Sequence, residues 1–394
     1  MSLEVLIERC AQVSKEQIAN LTLRLLNEWT PPGAEGPVAQ ILVEELRAAG
    51  ADEVYLDEEF EGSPSVICWF RGEQTGPTMQ WHGHMDAIAT PHSAPMLEDG
   101  LIKGRGACDM KGALAAMVAG ARILRESGFP RCGQLLLTFH GRHEEGGSAP
   151  LLGLFERGIF GDAVLIGELG SGPELITSSG GLTFWDLDLQ AGVDPVHETN
   201  RSADTPDLLE AALRVHSALK DYSHSIEARG GSIYVGKFTV GDYYNRVPVS
   251  ATISGTRRHV AGESLNTVKA DFEDFASRLE AEIQFPLQLR VDSITDSYTI
   301  DPECHVARAL RSAFFQFTGE PMKVKATKSV GNAAHFVRIA GIPAVYHGAN
   351  YASAHSDNEQ ATIAELARLA GVYALTTAYF LEPEDSPHPP ALVG

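Results

Sequence analysis

Apolar residues recur at helical spacing over residues 3 to 28, a pattern that stops before Pro31-Pro32-Gly33. A second helical stripe of Val38, Ile41, Leu42 and Leu46 follows, with Gly50 as its stop. Three strand-like runs come next, Glu53–Leu56, Ser65–Phe70 and Thr78–Trp81, and the last leads straight into His82-Gly83-His84-Met85-Asp86. The spacing predicts a helix over Ala113–Ser127, with Leu114, Met117, Val118 and Ala121 inward and Gly128 closing it. Strand Gln134–Phe139 then runs into HGRHEEGG, and strand Ala163–Ile166 into Gly167-Glu168. Strands alternating with helices predict an α/β sheet with helices on its faces. In such sheets ligands gather at the carboxyl ends of the strands.

From Gly181 to Ser293 the texture changes. Leu182–Gln190 alternates polar and apolar, Pro206–Tyr222 reads as a helix, Ser232–Val240 and Val249–Ser254 as strands, Glu263–Ile283 as a helix and Leu287–Ile294 as a strand. That β-α-β-β-α-β order predicts a ferredoxin-like α+β domain inserted into the first. Helix Asp301–Thr318, strand Ala344–His347 and helix Ala361–Leu381 complete the outer domain. The expected organisation is therefore a first domain of residues 1–180 and 294–381, an insertion of 181–293, and a disordered Pro-rich tail of 382–394.

The chain has 394 residues, 44% of them hydrophobic, enough for a sizeable core in two domains. Its formal net charge of -21 repels phosphate backbones and anionic lipid, so no nucleic-acid or membrane partner is expected. Cys10, Cys68, Cys108, Cys132 and Cys304 are odd in number and scattered, which fits reduced thiols. The first thirty residues hold Glu4, Glu8, Arg9 and Lys15 and lack a signal-peptide core, and no apolar run spans a membrane. The expectation is a soluble cytoplasmic protein.

The segment GRGACDMKG, Gly104 to Gly112, places Asp109 between a Gly-rich turn and a helix start. Alone, such a residue reads equally well as a helix N-terminal Asp. Its company points elsewhere: His84, Glu144-Glu145, Glu168 and His355 each follow an apolar, strand-like run. Together with Asp109 they are enough for a two-metal site with Asp109 shared. Asp86 falls on the same side of an extended strand as His84, where it can orient that imidazole through its second nitrogen. His82 lies on the same face and competes as the ligand. Adjacent surface acids are ordinarily just solvated, but Glu144-Glu145 follows LLLTF into a glycine turn. Cys108 reads as a small buried residue rather than a ligand.

These motifs resemble the co-catalytic zinc amidohydrolase and metallopeptidase family that includes aminoacylases, acetylornithine deacetylases, succinyl-diaminopimelate desuccinylases and glutamate carboxypeptidases. The resemblance runs from the first helix to about Leu381 and rests on GHMD at Gly83–Asp86, GRGACDMKG, Glu144-Glu145, Gly167-Glu168 and AHSDNE around His355. It implies a zinc-peptidase-like catalytic domain with a central mixed sheet flanked by helices, and an inserted lid and dimerisation domain that makes a homodimer. By it, Asp109 bridges two metals, His84 and Glu168 complete one position, and Glu145 and His355 the other. Glu144 is then the general base and Asp86 orients His84. His197 of the lid is the oxyanion donor, and Asn245, in NRVP at Asn245–Pro248, holds a substrate carboxylate with Arg258. Two Zn2+ per subunit are implied, and Co2+ or Mn2+ accepts the same donors.

Four departures from that pattern stand out. His143 replaces an acidic or Thr residue before the Glu pair, and the segment after Asp86 is short. His197 is followed by Glu198 and Thr199 rather than small residues, and GNAAH at Gly331–His335 lacks the usual Asp. The implied activity is metal-dependent hydrolysis of an N-acyl amino acid or a small peptide-like substrate. Dipeptidase or aminopeptidase action on the same scaffold is the alternative, and a catalytically silent metal or amino-acid binding protein is the third reading. GRGACD is no dinucleotide fingerprint, since Asp109 occupies the third Gly position of GxGxxG, and no GxSxG is present.

Overall fold

The computed structural model describes residues 3–146, 148–260 and 263–382, so the expected tail from residue 383 on lies outside them. The chain divides into two compact units. One runs up to Thr177 and takes in Ile300–Ala326 and the segment from His335 on; the other is Ser178–Thr299 with Thr327–Ala334.

Six strands form the sheet of the first unit: β1 (Glu53–Asp57), β2 (Ser65–Arg71), β3 (Gln74–His84), β4 (Cys132–His140), β5 (Ala163–Ile166) and β6 (Ala344–Tyr346). Their order is β1-β2-β4-β3-β5-β6. The β1/β2 and β2/β4 pairs are antiparallel, whereas β3, β4, β5 and β6 are mutually parallel. The expected mixed sheet is thus parallel in the half that carries the candidate ligands. Strands buried on both faces need continuous apolar runs, and Leu135, Leu136, Leu137, Ala163, Val164, Leu165 and Ile166 are all fully buried.

Helix Lys111–Glu126 packs on β3 and against helix Ile363–Leu381, which also packs on helix His305–Thr318. Thr362 starts Ile363–Leu381 as its cap, its hydroxyl accepting the Glu365 N–H at 3.1 Å. The helical stripe over residues 3 to 28 is in fact two helices, Leu3–Ala11 and Lys15–Asn27. The Ser14 hydroxyl caps the second by accepting from Gln17 N–H at 3.2 Å. A small antiparallel sheet of Met96–Glu98, Leu101–Lys103 and Gln360–Thr362 was not anticipated. Strands of three residues are too short to show alternation.

The second unit holds a four-stranded antiparallel sheet in the order Ser232–Val240, Ser250–His259, Gly181–Gln190, Leu287–Thr295. With helices Leu208–Glu227 and Leu265–Ile283, this is the ferredoxin-like arrangement. Trp185, Leu187, Leu189, Val215, Leu219, Ile253, Phe272 and Leu279 make its core. Asp207 and Ser264 set the helix starts by accepting from the N–H groups of Glu210 and Thr267.

Candidate metal centre

Because β3 to β6 are parallel, their carboxyl ends lie along one edge of the sheet. His84 ends β3, the loop carrying His143, Glu144 and Glu145 follows β4, Glu168 follows β5, and Tyr351 and His355 follow β6. Four non-glycine residues along this edge have left-handed backbone: Arg142 (φ 58°), Ser148 (φ 47°), Leu169 (φ 50°) and His355 (φ 63°). Each such position costs on the order of 1–3 kcal/mol and persists only where surrounding structure over-determines it. Gly348 permits a close approach: a Cβ there would stand 2.5 Å from Gly167 O and 2.6 Å from Glu168 Cα.

Asp109 sits at the centre, 3% exposed. One oxygen, Oδ1, lies 3.1 Å from His84 Nε2, which is itself 3.2 Å from Glu168 Oε1. The other, Oδ2, lies 3.1 Å from His355 Nε2, which is 3.2 Å from Glu144 Oε2. The carboxylate therefore faces a buried inner trio on one side and an outer trio on the other. The Tyr351 hydroxyl donates to Oδ2 at 2.9 Å.

Each histidine nitrogen stands between two carboxylate oxygens, yet one N–H cannot serve both. Glu168 Oε1 is buried and receives no hydrogen bond. A cation placed among the three donors resolves the conflict. Tetrahedral donors at ~2.0–2.1 Å from an ion lie about 3.3 Å from one another, and the four histidine–carboxylate separations here are 3.1–3.2 Å. Two groups of donors lie close enough together for a single ion, His84 with His143 and Glu168, and His84 with Asp109 and Glu144, so the residues around Asp109 fit metal binding.

His84 is held in place from behind. Its Nδ1–H donates to the Asp86 backbone oxygen at 3.0 Å, with Asp86 Oδ1 at 3.5 Å. Asp86 Oδ2 accepts the Glu144 N–H at 2.8 Å, so Asp86 steadies both His84 and the loop that carries Glu144. The electrostatics follow from this crowding. Burial alone would raise the Asp109 carboxyl, but hydrogen bonds from His355 and His84 more than reverse that and hold it well below the carboxylate range. Burial opposes charge on His84, yet Asp109, Asp86 and Glu168 outweigh it and push its pKa up. Hydrogen bonds to Asp109 and Glu144 push His355 up to about 10.

A histidine must lose its proton to bind a metal. Metal uptake at the outer position should therefore release a proton at neutral pH. Its affinity should rise about tenfold per pH unit up to about pH 10, where His355 is already neutral. Proton release in weakly buffered solution, with chelator-competition titrations at several pH values, checks this; a pH-independent affinity would contradict it.

The structure brings together His84, Asp109, Glu144, Glu168 and His355, with Asp86 behind them. Glu145, expected as a metal ligand, is not among them. Its Oε1 accepts from Arg142 Nη1 at 3.2 Å and its side chain is 47% exposed, because neighbouring residues in the turn face opposite ways and Glu144 takes the inward side. His82, the competing ligand, points into the core, its Nδ1 2.8 Å from Thr138 Oγ1 and its ring stacked on His140 at 4.9 Å. Burial, with His140 next, drives its pKa well down, so its ring is neutral.

In the second unit, Asn245 Nδ2 donates to His197 Nε2 at 2.9 Å, and a backbone bridge joins His197 to Arg246. Arg258 Nη1 donates to Lys328 O at 2.7 Å, three residues before Gly331. Sequence reasoning missed Tyr351 and left His143, next to the Glu pair, either to tune the base or only to fill space. The His143 ring stacks on His84 at 4.3 Å, with Nε2 3.6 Å from Glu168 Oε1. No motif marks Tyr351; the substitution before the Glu pair was the only signal for His143.

Two imidazoles and two carboxylates around one shared acid, at the carboxyl edge of parallel strands, define a metallohydrolase. The chain belongs to Peptidase family M20/M25/M40, whose model matches residues 81–378. It is similar to a succinyl-diaminopimelate desuccinylase from Alkalilimnicola ehrlichii, 26% identical over 364 residues, which are 85% of this chain and 91% of that protein. Its fold matches a tripeptidase from Staphylococcus aureus with a TM-score of 0.79 at 18% identity, over 94% of this chain and 100% of that one. It also matches a dinuclear metal binding peptidase from Bacillus subtilis, TM-score 0.71 at 15% identity, over 93% and 98% of the two chains. The protein is accordingly a metal-dependent hydrolase of amide bonds.

Proposed function

We propose that the chain is a two-metal amidohydrolase that cleaves an N-acylated amino acid or small peptide bearing a free carboxylate, with Glu144 as its proton carrier. The observation that carries this reading is the two-sided environment of Asp109, each oxygen facing its own histidine and a further carboxylate. The desuccinylase relative and the dinuclear peptidase of like fold support the reaction class and the metal count. Mixed imidazole and carboxylate donors make zinc the default ion, with cobalt and manganese accepted. Bound there, the pair would supply Lewis-acid polarisation and lower the pKa of the attacking water.

The chain's own groups do the rest. Glu144, its side chain 8% exposed and its N–H fixed by Asp86, takes a proton from the water and passes it to the leaving amine. Glu145 is held by an exposed ion pair worth roughly 0–1 kcal/mol, so its recruitment as the remaining outer ligand costs little. We assign the hydrogen-bonded pair His197 and Asn245, with Arg258, to the substrate: His197 as oxyanion donor, Asn245 and Arg258 for its carboxylate. The outermost strand Ser232–Val240, with Tyr234 and Phe238 exposed, and Leu209 and Leu213 on the adjacent helix are the surface we assign to a homodimer. All five cysteines are free thiols, which fits a cytoplasmic setting. No helix among the described residues is long and apolar enough to cross a membrane.

The test is amine release by zinc-loaded protein from N-acetyl, N-succinyl, N-formyl and dipeptide substrates, each as α-carboxylate and α-amide. Turnover confined to the carboxylates is expected. Equal turnover of the amides would remove the carboxylate role of Arg258 and Asn245, and cleavage of dipeptides alone would favour the dipeptidase reading. No turnover with both metals bound would leave a binding protein.

A further inference from the structure

Two of the site's ligands come from segments about 250 residues apart, and neither segment is held by the six-stranded sheet. Asp109 closes the turn Gly104–Asp109, and His355 sits in a left-handed kink of the loop after β6. One buried side chain joins them. Glu359 Oε1 accepts three backbone N–H groups of the Asp109 turn, from Gly106 at 3.0 Å, Cys108 at 3.2 Å and Asp109 at 3.1 Å. Its Oε2 accepts from Arg105 Nη1 at 3.3 Å.

Arg105 carries the link back to the other segment. Its Nη1 also donates to Ser356 O at 2.7 Å, next to His355, and its Nη2 donates to Thr90 Oγ1 at 3.0 Å. Both side chains are 2% exposed. The Gly104 N–H donates to Glu359 O at 2.9 Å, and the strand pairing of Gln360 with Lys103 continues the junction. A buried ion pair is weak evidence for stability, because desolvation offsets most of its attraction. It does impose geometry, since a guanidinium fork and a carboxylate fit in few ways.

We propose that Arg105 and Glu359 are positioning residues: a buried strut that sets His355 against Asp109 and so forms the outer metal position. The inner position does not depend on it in the same way, because His84 and Glu168 are supplied by the ends of β3 and β5. The strut touches neither substrate nor metal. Its effect is carried by the 3.1 Å spacing between His355 Nε2 and Asp109 Oδ2. The inference rests on the two-metal reading above.

The test is a cobalt titration of the full chain, followed by its visible spectrum and by chelator competition, with His355→Ala and Glu168→Gln as references for each position alone. Glu359→Gln keeps an acceptor for the turn but sets an amide against Arg105; Arg105→Gln breaks the strut from its other end and leaves the turn's acceptor untouched. Each is expected to weaken the outer position about 10–100-fold, the usual cost of losing a group that orients a ligand, while the inner position changes by less than about threefold. Equal weakening of both positions, or none, in a wild-type background that binds two metals would overturn the strut. Loss of fold in both variants would make the pair merely stabilising and would overturn it too. A wild type that binds fewer than two metals would instead refute the two-metal reading, so the two failures stay distinct.

Discussion

Replacing Glu144 by Gln is expected to lower amide hydrolysis by between about 10²- and 10⁴-fold while both metal positions still fill. Gln keeps the size of Glu144, and its backbone N–H still reaches Asp86 Oδ2, so the loop should hold its place. What it cannot do is carry a proton. KM should change little, since the loss lies in the step rather than in binding. Glu145→Gln should show the opposite signature: a metal stoichiometry nearer one than two at limiting metal, with activity partly restored by excess. Metal analysis beside kcat for the two variants decides the assignment. If Glu144→Gln loses the outer metal and Glu145→Gln does not, the carboxylate that stands 3.2 Å from His355 is itself the ligand, and the proton carrier must be sought elsewhere.

These two neighbours show where sequence reading stops. That a Glu pair follows an apolar strand into a glycine turn is visible in the chain. Which of the two faces inward depends on the left-handed backbone at Arg142 and on the hydrogen bond from Glu144 N–H to Asp86, and neither leaves a trace in periodicity. The strand-end residues were legible for a simple reason: apolar runs mark strands, and parallel strands put their carboxyl ends on one edge. His84, Glu168 and the position of Asp109 at a helix start could all be read that way. The choice of His84 over His82, which lies on the same face of β3, rests on Asp86, the carboxylate that follows only His84 at a spacing of two, and the structure turns His82 towards Thr138 and His140 instead. Arg105 and Glu359 escaped notice because their partnership spans 254 residues of sequence. The lid-type fold was legible because its helices and strands are long enough to show their periods.

Asp109→Asn should have the largest effect of any single substitution. Asn fills the same space but offers one acceptor and no charge, so each side of the site loses its shared donor at once. Glu168→Gln and His355→Ala should each empty one position; Asp109→Asn should empty both. Without metals the pKa of the attacking water returns from near ~7 to about 15.7, and activity should fall by at least about 10⁴-fold. A second consequence separates this variant from a merely misfolded one. His355 is pushed up to about 10 first by its bond to Asp109 and then by Glu144, so removing the Asp109 charge should bring that imidazole down. The His355 ring should then titrate nearer neutral pH in the metal-free variant, where NMR of the ring protons can follow it. His84 should fall as well, since Asp109 is the first of the acceptors that raise it. Retention of one metal at wild-type affinity in Asp109→Asn would mean that the carboxylate serves a single position, and the two-sided arrangement on which the proposed chemistry stands would fail.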